Sequence, residues 1–206
     1  MGVLPKRLNE FHKIHEGEKI VVCGCGTSLV SFLPYKDSFI TIGVNDVPRA
    51  FNPTYLVVTD HVTRFQGKRR ELVLNSKVNA FFTCVKGWHH PKLVYFDLGG
   101  RDLKRLDSPN HVDHFLNSPY VASNIAYKMG AKHIGLIGVD FTSGHFYNPK
   151  DGAHPLMQMN YLTKINEAYR ILKEQLEQRG VSFFNLNPES KLTTLKKISI
   201  DEFKNL

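Results

Sequence analysis

Residues His145, Tyr147 and His154 fall within ten positions of one another, between a strongly apolar run and a long helical pattern. A histidine titrates near neutrality and can act as a general base, and a tyrosine hydroxyl can donate to a departing phosphate. The chain has ten histidines, so their placement in one loop carries this reading and their number does not. Upstream, the apolar residues 20–23 run straight into Gly24-Cys-Gly26-Thr27-Ser28, a turn whose backbone can approach a phosphate or sugar closely. The third glycine of a dinucleotide fingerprint is missing, and no Walker lysine follows. Two readings stand: a plain tight turn, or an anion site in which the Thr27 and Ser28 hydroxyls assist at a helix start. The runs 39–45, 55–60 and 133–140 each end on a polar side chain, Asn45, Asp60 and Asp140. Asn45 and Asp60 suit a ribose or sugar hydroxyl, or simple turn formation. Asp140 suits a hydroxyl, a metal, or the amides of the next loop.

These groups must be carried on a sheet. Apolar runs at 20–23, 39–45, 55–60, 80–85, 93–96, 133–140 and 181–186 read as strands, and 64–78 reads as a helix with Phe65, Leu72 and Val73 inward. A short helix is expected near 8–15. Ser118 and Pro119 predict an N-cap and N1 pair for a helix closed by Gly130. A long helix over 156–179 closes at Gly180. Gly138 inside its strand predicts the close approach of another backbone or a ligand. The residues 98–114, rich in Gly, Asp, Pro and His, read as the loosest loop of the chain. Alternating strands and helices imply parallel pairing through right-handed crossovers, with ligands at the carboxyl ends of the strands. The expected architecture is a single α/β domain over 1–206, Rossmann-like and mostly parallel, with helices on both faces and a short lid loop.

Composition excludes other classes. No apolar run approaches the roughly 20 residues of a membrane helix, and the amino terminus lacks a signal-peptide core. Cys23, Cys25 and Cys84 fit neither a disulfide framework nor a zinc knuckle and read as reduced thiols of a cytoplasmic protein. No His-x-x-x-His with a nearby Glu is present, so no metal site is expected. The net charge is +8, and residues 61–105 hold ten Lys and Arg against three acids. Phe81, Phe82, Trp88 and Tyr95 lie in the same stretch. Cations interleaved with aromatics suit nucleic acid; equally, the aromatics are core and the cations a solvated face. The first reading makes 61–114 the acceptor side, with Arg69, Arg70, Trp88 and His89 as contacts.

Taken in order, Gly24-Cys-Gly-Thr-Ser-Leu29, Val44-Asn45, Asn117-Ser-Pro119, the run from Met129 through Asp140 to Phe141, then Tyr147, His154 and Asn187-Pro-Glu-Ser190 form a pattern. It resembles the family 42 bacterial sialyltransferases and their wider relatives, the motility-associated flagellin-modifying proteins. Cys25 stands where that family often has Asn, Thr27 where it has Pro, Pro119 where it has Gly, and Thr142 at the first of its two loop tyrosines. The resemblance implies a metal-independent glycosyltransferase with a nucleotide-sugar donor such as a CMP- or UDP-sugar. Gly24, Gly26, Thr27, Ser28 and Asn45 would hold the nucleotide, with Ser118 near its ribose or base. Asp60, Asp140 and Thr142 would complete the donor pocket. Tyr147 would stabilise the leaving phosphate, with His145 beside it, and His154 would deprotonate the acceptor. A glycan or an acidic polymer, modified DNA included, is the expected acceptor, and an oligomer is compatible with the sequence. Two alternatives remain: pyrophosphoryl transfer to a pterin, with magnesium on Asp60 and Asp140, and a non-catalytic nucleotide- or nucleic-acid-binding module.

Overall fold

The computed structural model describes residues 6–142, 144–150 and 159–206, with side chains from 161 onward in the last stretch. A nine-stranded sheet organises them. Its strands are β1 (Lys6–Arg7), β2 (Lys19–Cys23), β3 (Ile40–Val44), β4 (Tyr55–Val57), β5 (Ala80–Thr83), β6 (Leu93–Tyr95), β9 (His133–Ile137), β10 (Ser182–Asn185) and β11 (Lys196–Lys197). Two further short strands, β7 (Asp97–Leu98) and β8 (His111–Val112), pair separately. The sheet order is β1-β6-β5-β4-β3-β2-β9-β10-β11, and every neighbouring pair is parallel. The chain winds outward from β2 through β3 to β6 and then returns to the other side of β2 with β9. The order reverses between β2 and β9, which is where open α/β sheets leave a crevice.

Because strand residues alternate, Ile20 and Val22 enter one core, while Val21 and Cys23 enter another. The first core is covered by α3 (Ser118–Lys128) and α4 (Met159–Glu177), through Val121, Ile125, Ile165, Tyr169 and Leu172. The second is covered by α1 (Leu29–Phe32) and α5 (Ile200–Lys204), and a third cluster packs Phe65 and Val73, the latter from α2 (Gly67–Leu74), with Leu56 and Phe81. The sheet, buried on both faces, accounts for near-continuous apolar strands.

Several boundaries differ from the sequence reading. The helix expected over 64–78 divides into a 3-10 turn, Val62–Arg64, and α2. A 3-10 turn, Leu8–Phe11, replaces the short helix near 8–15. The N-cap of α3 is Asn117, whose side chain accepts from Tyr120 N at 3.0 Å, so Ser118 is the first helical residue. The residues 98–114 are no loose loop. The Lys128 amine donates to the carbonyls of Arg105, Leu106 and Ser108, and Arg179 grips Asp107 at 2.7 Å. Leu103, Leu106 and Asp113 of this strap are buried.

Candidate functional site

At the carboxyl ends of β2, β3, β4 and β9, a cavity of about 570 Å³ opens. Its volume lies in the range of small-molecule sites. Three turns and the start of α3 build it, and five of the residues that border it have positive φ: Asn45, Leu116, Phe141, Gly138 and Gly144. For the three that are not glycine this backbone is uncommon, and such conformations gather at ligand sites.

Asn45 follows β3 directly. Its Nδ2 donates to Ser118 Oγ at 3.4 Å, and Thr59 and Ser118 share a hydrogen bond at 3.1 Å. The Asn45 Oδ1 is buried without a hydrogen-bond partner among the described residues. Asn45 borders the cavity, and a buried acceptor left without a partner calls for a missing donor. Ser118 sits at the amino end of α3, where the helix adds partial positive charge.

The glycine loop is organised differently from a phosphate cradle. Gly24 N donates to Ile137 O at 2.7 Å and Gly26 N to Gly138 O at 2.8 Å. A Cβ on Gly24 would collide with the Gly138 carbonyl, and one on Gly26 with the Asp140 carboxylate. Glycine is thus demanded by the closeness of the β9 turn, as Gly138 anticipated. Ser28 N and Oγ donate to Asp140 at 2.9 and 2.5 Å, Thr27 Oγ1 at 3.3 Å and Asn187 Nδ2 at 2.9 Å. The Thr27 and Ser28 hydroxyls expected to meet an anion are spent on Asp140, and Ser28 makes no side-chain cap on α1. Asp140, almost wholly buried, ties the ends of β2, β9 and β10 together, through the Thr27–Ser28 turn and Asn187 rather than the amides of the loop that follows it. Asp60 pairs with Arg64 at 3.3 Å on the cavity wall. Both Asp140 oxygens accept from N–H and O–H donors. Among the described residues no three His, Cys, Asp or Glu cluster as a metal site.

Thr142 and His145 line the cavity, and Tyr147 lies just beyond its rim. Phe146 N donates to Cys25 O at 3.0 Å, which fixes this loop on the glycine turn. The Tyr147 ring stacks on His145 at 5.1 Å and lies under the Arg49 guanidinium at 4.3 Å. Burial, then the nearby Asp46 and Cys25, push the Tyr147 hydroxyl up to about 12, so it keeps its proton. His154 lies outside the described residues.

The acceptor contacts read from the sequence are not on this cavity. Trp88 is 1% exposed, packed on Phe65 at 5.0 Å and Phe81 at 5.4 Å, and donates to the Asp60 carbonyl. A buried indole cannot stack on a base. Arg69 forks onto the buried Asp46 with Nε at 2.8 and 2.9 Å. Arg70 and His89 are exposed and do not border the cavity. For the aromatics of 61–114, the core reading holds.

Sequence reasoning missed Thr59 and His114, and carried Asn117 only as part of the Asn117-Ser-Pro119 pattern; all three are on the cavity wall. Burial, then Arg101, hold the His114 imidazole below its usual pKa against the pull of Asp113, which keeps it neutral and basic near pH 7. Its signal was weak, because it sits at the end of the strap read as a loop.

No family model and no curated protein matches the chain by sequence. Solved structures do match by fold. Against the Maf glycosyltransferase of Magnetospirillum magneticum AMB-1, 96% of this chain superposes with a TM-score of 0.59 at 10% identity. The chain spans 39% of the length of that protein. The monofunctional α-2,3-sialyltransferase Cst-I of Campylobacter jejuni covers 98% of this chain and is covered over 84% of its own, with a TM-score of 0.56 and 16% identity. The sialyltransferase CstII, solved with a trisaccharide acceptor and CMP, gives 88% and 86%, a TM-score of 0.55 and 14% identity. The chain has the α/β fold of these bacterial sialyltransferases and Maf proteins. No helix among the described residues is long and apolar enough to cross a membrane.

Proposed function

We propose that the chain is a glycosyltransferase that moves a sugar from a nucleotide-sugar donor to an acceptor hydroxyl. The observation that carries this reading is Asn45: a residue with an orphaned buried acceptor, beside Ser118 and Thr59, bordering a cavity at the sheet's reversal point. A ribose or base N–H or O–H satisfies it. The shared fold supports the class, since CstII has been solved with CMP in place. On the cavity wall, the Cys25 amide alone of this loop carries no hydrogen bond to the described residues and remains for the donor's phosphate.

In the transfer, a histidine takes the proton of the acceptor hydroxyl as its oxygen bonds to the anomeric carbon. The bond from that carbon to the phosphate breaks, and the phosphate leaves with the electron pair. Tyr147, protonated, donates to that phosphate. His154 is the base in this reading, and His114 is the second candidate, already on the wall and neutral. The donor is a CMP- or UDP-sugar and the acceptor a glycan or another hydroxyl polymer.

A thermal-shift panel of CMP-, UDP-, GDP- and ADP-sugars tests the proposal. A donor at a hundred times its dissociation constant stabilises by about 2.7 kcal/mol. Stabilisation by one nucleotide class, with release of free nucleotide on adding acceptor, is the expected outcome. A flat panel together with salt-sensitive binding of single-stranded DNA would overturn it in favour of a binding module.

A further inference from the structure

Just outside the cavity, beyond Cys25 and His145, lies a charge arrangement of which the donor reading uses Tyr147 alone. Asp46 is 3% exposed and carries one negative charge for two guanidiniums. Arg69 takes it in a fork, with Nε to both oxygens and Nη2 at 2.7 Å. Arg49 reaches it with Nε alone, at 3.2 Å. The fork already neutralises the carboxylate, so the Arg49 charge is left largely uncompensated. Neither Arg49 Nη nitrogen has a hydrogen bond to the described residues, and the side chain is about one-third exposed. The guanidinium is not loose, because it lies flat over the Tyr147 ring at 4.3 Å, which in turn stacks on His145 of the cavity wall. A held, half-open guanidinium with two unspent donors matches the planar oxygens of a carboxylate or phosphate.

We infer that Arg49, seated on Tyr147, is an anion subsite that holds a carboxylate or phosphate of the acceptor beside the donor pocket. The inference rests on the glycosyltransferase reading and adds an acceptor class to it: a sugar bearing a negative charge. The donor's own phosphate is the competing source of the same chemistry. Arg49 does not border the cavity that Asn45, Ser118 and Gly26 line, and competition between nucleotide and charged sugar tells the two sources apart.

The test is calorimetric titration of the full chain, first with CMP and UDP. The protein saturated with whichever binds is then titrated with glucuronic acid, glucose 6-phosphate and glucose. Both charged sugars are expected to bind the loaded protein and glucose to bind weakly. Arg49→Gln should weaken the charged sugars about tenfold, the loss of one charge-assisted hydrogen bond, and leave the nucleotide within about twofold. Arg49→Lys, which keeps the charge and loses the fork, should recover part of the loss; a packing defect over Tyr147 would not respond this way. Weakened nucleotide with unchanged charged sugar, or competition between the two, would assign Arg49 to the donor phosphate and overturn the inference. Equal binding of glucose and the charged sugars would also overturn it. Absence of any nucleotide binding would bring down the donor reading, and this inference with it.

Discussion

Ser28 and Asp140, 112 residues apart in the chain, are joined by two hydrogen bonds, from the serine amide at 2.9 Å and from its hydroxyl at 2.5 Å. The same hydroxyl accepts from Gly138 N at 2.9 Å. One serine therefore fixes both the carboxylate and the turn that carries it, and the crevice between β2 and β9 is held at one width. Asp140→Ala would leave the buried Asn187 and the half-buried Thr27 and Ser28 donors unpaired, at a cost of about 3 kcal/mol in urea unfolding. In a double-mutant cycle with Ser28→Ala, a coupling of about 1–2 kcal/mol is expected. Additive losses would mean that the pair does not act as one clamp.

Asn45 separates binding from folding. Its φ of +48° is strained for a side chain with Cβ and easy for glycine. Asn45→Gly should keep or slightly raise the melting temperature while removing the orphaned acceptor. Nucleotide affinity is expected to fall about tenfold by calorimetry, the worth of a hydrogen bond to a desolvated group. Unchanged affinity would remove Asn45 from the site.

Trp88 offers the opposite separation. Trp88→Ala excises a fully buried indole and should cost about 3–5 kcal/mol of stability. Ligand affinity measured below the melting transition should not change. A variant of normal stability and weakened acceptor binding would restore the nucleic-acid reading of the basic segment.

The fold was legible because its signals were periodic. Apolar strands alternating with Gly130- and Gly180-closed helices placed β2, β3, β4, β9 and β10 in a parallel sheet. The edge strands were not, because Lys6–Arg7 and Lys196–Lys197 are two polar residues each and pair only because the sheet edge is there. At the site, residue type located Asn45, Asp140 and Ser118 but not their partners. A hydroxyl beside a glycine turn reads as an anion ligand until a buried carboxylate from 112 residues away claims it. Composition misled over Trp88, since clustered cations and aromatics look alike whether the rings point in or out. The left-handed Leu116 and Phe141 left no mark in the sequence, because both conformations are imposed by tertiary packing.

Stability should depend on pH through the histidines. His15, His90, His114 and His133 all sit below the usual value of 6.5, burial being the first cause for each. Below about pH 6.5 the unfolded chain therefore binds protons that the folded one refuses, and stability rises with pH through that window and levels above it. Urea midpoints from pH 5 to 7.5 should climb accordingly, and His90→Gln should flatten part of the slope. A midpoint that falls over this range would show that these imidazoles gain charge on folding.

Lys128 makes the strap over 98–114 part of the site. Its amine is buried, and burial lowers its pKa to about 8 against the pull of Asp113 and Asp107, so at pH 7 it is charged and donates a hydrogen bond to each of three carbonyls. Lys128→Met keeps the stem's packing and strips all three carbonyls of their donor, at about 3 kcal/mol or more. The strap ends at His114 on the cavity wall. Loosening it should therefore expose 98–114 to limited proteolysis and weaken nucleotide binding in the same variant, although Lys128 does not line that cavity. Proteolysis without any change in nucleotide affinity would show that the strap and the pocket are independent.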